Sequence, residues 1–164
     1  MNIDHLSDLP DWDDKLRQMS DDDDGEWLPG TTGLACKALY EQWQAITFLL
    51  NGIVLPVIEK DPATQAFETD VARSILGECH LVGGKIVKSE VGGLYIIRMA
   101  NAAVIREYAR GITASLLLMV EENAEHRKYA AVITEEMEKF RQLFIAWVAT
   151  FERDDVKDDW ELFV

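Results

Sequence analysis

The chain has 164 residues, enough for one domain with a substantial core, and it carries 48% hydrophobic and 28% charged side chains with a net charge of −14. That charge repels nucleic acid and anionic lipid over most of the surface and favours basic partners. The longest run without charge, residues 42–58, contains Gln44, Asn51, Gly52 and Pro56 and is short for a membrane span, so no membrane partner is expected.

The negative charge is concentrated at the two ends. Residues 1–30 hold ten acidic and two basic side chains (−8), residues 151–164 hold six and two (−4), and the 120 residues between them are nearly neutral. Residues 1–30 read as an acidic arm. Pro10, the run Asp21–Asp24, Gly25, Pro29 and Gly30 oppose long regular structure. A short helical turn would place Leu16 and Met19 beside Trp12, giving an arm that docks by a few apolar anchors. Trp12 and Trp27 in the arm, with Trp160 in the acidic tail of residues 154–164, are candidate contacts for a basic protein partner. The start is polar and acidic from Asp4 onward, unlike a signal or transit peptide. Cys36 and Cys79 form neither a C-x-x-C pair nor a zinc-type cluster. Reduced thiols in a cytoplasmic protein are therefore expected.

Four helical segments of similar length follow, over residues 31–153. The first, 32–59, is apolar almost all the way round (Leu39, Tyr40, Trp43, Ile46, Phe48, Leu50, Val54), so it is expected to be covered on more than one side. Pro56 predicts a kink near its end. Asp61-Pro62 is a start signal for the second helix, whose stripe is Phe67, Val71, Ile75, Cys79, Val82 and Ile86. The third, 94–120, is rich in alanine and branched residues. The fourth, 125–152, has an amphipathic pattern of Tyr129, Ile133, Met137, Phe140, Phe144 and Trp147. Matched lengths of about 40 Å and short connections make neighbours antiparallel. The expected fold is an all-α, up-down-up-down four-helix bundle. The apolar surplus on the first and third helices predicts a homodimer.

The chemistry-bearing groups are few. Di-iron bundles place Glu three residues before His, but here Gly77, Asn123 and Asn2 precede His80, His126 and His5 at that spacing, so no metal or other cofactor is expected. Gly83-Gly84-Lys85 lacks the upstream glycine of a phosphate-binding loop. No serine, cysteine and histidine arrangement forms a nucleophile with its base. Helical geometry at 100° per residue turns His80 about 155° from the apolar stripe of its helix, toward water, with Gly77 and Gly84 about one turn away on either side. This arrangement resembles histidine phosphotransfer domains, in which the glycine admits the phosphoryl donor. Gly83 stands where those domains carry a lysine, and the lysine here is Lys85. Glu78, Arg98 and Asn101 project toward the interior and read either as a ligand-binding pocket or as a polar network fixing helix register. Residues 85–110 carry a local excess of positive charge. Arg106 and Arg110 in that stretch are candidate docking points for an acidic segment, this chain's own or a neighbouring subunit's.

The leading functional expectation is a non-catalytic, self-associating interaction module. Phosphotransfer through His80 and mimicry of nucleic acid by the acidic surface are the alternatives.

Overall fold

In the computed structural model the described residues are 9–12, 30–59, 66–91, 93–121 and 124–162. Four helices occupy most of them: α1 (Thr31–Ile58), α2 (Ala66–Lys88), α3 (Tyr95–Met119) and α4 (Ala124–Val148). Each helix packs on its two sequence or ring neighbours, α1 on α2 and α4, α3 on α2 and α4. The result is an all-α four-helix bundle.

Cross-helix contacts set the directions. Near the start of α1, the Cys36 thiol donates to the carbonyl of Ile86 near the end of α2 (3.4 Å). Thr32 donates through Oγ1 to the Thr150 carbonyl just past α4 (3.2 Å). An ideal Cβ on Gly111, late in α3, would lie 3.9 Å from Glu78 of mid α2, while Arg98 at the start of α3 meets Glu90 just past the end of α2. Every neighbouring pair runs antiparallel.

The core is built on aromatic and branched side chains at helical spacing. Trp43 is fully buried; its indole N–H donates to the Cys79 carbonyl at 2.9 Å, and its ring lies 4.8 Å from that of Phe140. Trp147 is equally enclosed, edge-on to Phe144 and Phe151. Ile46, Leu50, Ile75, Ile86, Ile105, Ile112, Leu116 and Ile133 fill the layers between them.

Element ends depart in small ways from the expected ones. The start signal at Asp61-Pro62 lies outside the described residues, and the described part of α2 begins at Ala66. The fourth helix stops at Val148 and not at residue 152; the chain turns through Ala149 and Thr150 and brings Phe151 back onto Trp147. Between α2 and α3, Gly93 sits at φ +62, a left-handed backbone that glycine adopts without steric cost.

The first helix is covered in part on a second side, as its all-round apolar pattern requires, by a piece of the arm expected to dock through Trp12. Residues Leu9–Trp12 lie across α1 and α2. The Tyr40 hydroxyl donates to the Pro10 carbonyl at 2.6 Å and Gln44 Nε2 donates to the same oxygen at 3.2 Å. Trp12 is only 4% exposed, with its ring 5.5 Å from that of Tyr40. Gly83 makes room for Leu9; a Cβ there would stand 2.8 Å from a Leu9 methyl. The arm anchors Leu16 and Met19, and the candidate Trp27, lie outside the described residues.

Candidate functional site

A groove runs between α3 and α4. These two helices make the sparsest contact of the four neighbouring pairs. The cause is local sequence. On α3, Ala109, Thr113 and Ala114 face the seam, and short side chains there cannot reach the ridge of Met137, Phe140 and Phe144 on α4. A cleft of ≈ 690 Å³ results, floored by those apolar groups and edged by Arg106, Arg110, Arg141 and Glu138. Leu117 and Ile145 at its margins are half exposed. A second depression, lined by Leu118, Val120, Arg127 and Ala131, continues it past Leu117 and Thr134. The dimension suits a docked side-chain cluster better than a flat face.

The groove's electrostatics are asymmetric. Arg141 pairs with Glu138 (2.7 Å), and that contact with the Gln142 amide holds the Glu138 carboxyl down to about 2. Lys139 pairs with Glu136 at 2.6 Å, and Glu136 also accepts from Gln42 of α1 at 2.7 Å, so its carboxyl is held below the usual range. Among the described residues Arg106 and Arg110 form no ion pair. The rim therefore offers two uncompensated guanidinium groups over an apolar floor.

The interior trio is not a site. Arg98 and Gly111, the neighbour of Glu78, are thirteen residues apart on one helix, about 20 Å, so Glu78 and Arg98 lie at different levels of the bundle. Glu78 is half-buried and accepts from Ser74 at 3.0 Å. Asn101 is buried on the core side of α3, as its position on the helix requires. Arg98 instead meets Glu90, at 3.4 Å with both side chains largely enclosed, and lies 6.0 Å from the centre of the Phe151 ring. The expectation that Glu78, Arg98 and Asn101 come together, as a pocket or as a polar network, is corrected on this point: height along the bundle separates Glu78 from the other two. Glu90 was missed because it follows the end of α2, where helical phase no longer reports direction.

His80 also departs from its expected place. It is half-buried, and its Nε2 atom is shielded from solvent with no hydrogen-bond partner among the described residues. Gly83, three residues on, holds the Leu9 side chain, while Gly77 and Gly84, the glycines expected to admit a phosphoryl donor, face open space. The angular reading placed His80 away from the helix's own stripe but did not include the arm that lies across this side.

The thiols are free and buried. Burial pushes Cys79 up to about 12, and pushes Cys36 well above the ordinary thiol range, with the nearby Glu90 carboxylate adding to it. Neither has the character of a nucleophile. Among the described residues no group of three or more His, Cys, Asp or Glu side chains is placed to hold a metal ion, and no helix is long and apolar enough to cross a membrane.

Acidic and basic groups are both present on α4, where Glu136 and Glu138 pair with Lys139 and Arg141. The third candidate tryptophan, Trp160, is 90% exposed on the acidic segment that follows α4. Comparison with protein-family models, curated proteins and solved structures found no match to this chain.

Proposed function

We propose that this chain is a non-catalytic, self-associating interaction module whose working surface is the α3–α4 groove. One observation carries the reading: the bundle closes three of its seams and leaves the fourth open, apolar and edged by unpaired arginines. The homodimer expected from the apolar surplus of the first and third helices is assigned here to the open seam between α3 and α4, although Leu34 and Phe48 of α1 are also exposed. The arm covers part of α1's outer side, while Leu117, Leu118 and Ile145 remain in solvent along the open seam. Contiguous exposed apolar surface of this kind marks a contact surface.

Light scattering on the eluting full-length protein tests it. The expected result is a mass of two chains at micromolar concentration, falling to one chain in the double variant Leu117→Lys/Ile145→Lys, with the helical circular dichroism of the two proteins the same. A wild-type chain that stays monomeric throughout the micromolar range overturns the reading.

A further inference from the structure

We infer that the occupant of the α3–α4 groove is the acidic segment 154–162 of a second copy, with Trp160 and Leu162 as its anchors. This rests on the self-association proposed above and names the contact that performs it.

The segment is arranged to present those two side chains. It leaves α4, and Asp154 accepts the Tyr95 N–H at 2.7 Å, which fixes its base at the start of α3. Asp158 then accepts from the backbone N–H groups of Trp160 (3.3 Å) and Leu162 (2.8 Å). The resulting turn leaves the indole 90% exposed and Leu162 72% exposed. A turn that spends backbone hydrogen bonds to hold two large apolar groups in water is consistent with anchors awaiting a partner.

Groove and segment are complementary in both respects that matter. The floor of Met137, Phe140 and Phe144 matches an indole and a branched aliphatic group. Arg106 and Arg110 face a segment whose charged groups are five carboxylates, Asp154, Asp155, Asp158, Asp159 and Glu161, and one lysine, Lys157. An arginine beside a seated indole adds a cation–π contact.

Geometry favours exchange between copies over self-docking. With its base fixed beside Tyr95, the indole of Trp160 is six residues away, a reach of about 20 Å only when fully extended. Arg106 and Arg110 lie about 16 to 22 Å from Tyr95 along α3, and the turn held by Asp158 removes that extension. A neighbouring copy has no such limit. Reciprocal exchange gives an isologous two-fold dimer in which each groove is filled.

Sedimentation velocity of the full chain separates the possibilities, using Trp160→Ala/Leu162→Ala, Arg106→Glu/Arg110→Glu and an equimolar mixture of the two. Each variant alone should dimerise at least about tenfold more weakly than wild type. The mixture should regain part of the association, because the intact segment of one variant meets the intact groove of the other. If the segment variant dimerises like wild type while Leu117→Lys/Ile145→Lys is monomeric, the segment is not the occupant and self-association through the groove stands. If wild type is monomeric, or if all three double variants dimerise like wild type, both readings fall.

Discussion

Trp43 and Trp160 are the same residue type under opposite conditions. Trp43 is enclosed on all sides, satisfies its N–H on Cys79 and leans on Phe140, so truncation removes packing across α1, α2 and α4 together. Trp43→Ala should cost about 3–5 kcal/mol of unfolding free energy, whereas Trp160→Ala should stay within about 0.5 kcal/mol for the monomer; urea unfolding monitored by circular dichroism checks both. The burial of Trp43 is legible in the sequence, because it sits in an apolar pattern with no charged neighbour one turn away. The position of His80 is not. A helical angle reports which way a side chain leaves its own helix, but the covering of Gly83 by Leu9 depends on a residue more than seventy positions distant.

At the scale of elements, α3 shows how much a helix owes to distant chain. Leu94 precedes it with no side-chain cap, and the first turn contains no acidic residue. The N–H of Tyr95 is met instead by Asp154, placed by the turn after α4. A carboxylate there satisfies an orphan donor and favours the positive end of the helix dipole. Asp154→Ala should therefore cost about 1 kcal/mol and speed hydrogen exchange in the first turn of α3 ahead of the rest of the bundle, as measured by mass spectrometry. The four helices are legible in the sequence to within a few residues because apolar spacing, Gly93 and the polar run after Val120 define them. The cap is not, since Asp154 is one of many aspartates in an acidic stretch and nothing local distinguishes it. The α3–α4 groove falls between these cases. Arg106 and Arg110 stand out by their charge, but Phe140 and Phe144, which line the same groove, read as ordinary core positions of an amphipathic helix.

For the whole molecule, matched helix lengths and short connections leave few arrangements other than a ring of antiparallel neighbours. What they leave open is which face stays uncovered. The surplus of apolar side chains is visible in the sequence, but the arm covers only part of it on α1, where Leu34 and Phe48 stay exposed, and small residues on α3 expose a further share at the opposite seam. The buried titratable groups set a global pH response. Cys36, Cys79 and Tyr40 all have their protonated forms favoured by burial, Tyr40 being pushed up to about 12. Groups whose folded pKa is raised stabilise the fold fully below the ordinary thiol value of 9.0, and that contribution is lost as pH climbs beyond it. Thermal midpoints should hold steady through neutral pH and decline above about 9, with the decline reduced in Cys36→Ala/Cys79→Ala.

The hydrogen bond between Tyr95 and Asp154 spans 59 positions of sequence. During synthesis, the opening turn of α3 is made long before its carboxylate emerges from the ribosome. Until then water alone meets that donor, so the last piece of the bundle to leave the exit tunnel also supplies the cap of a helix made well before it.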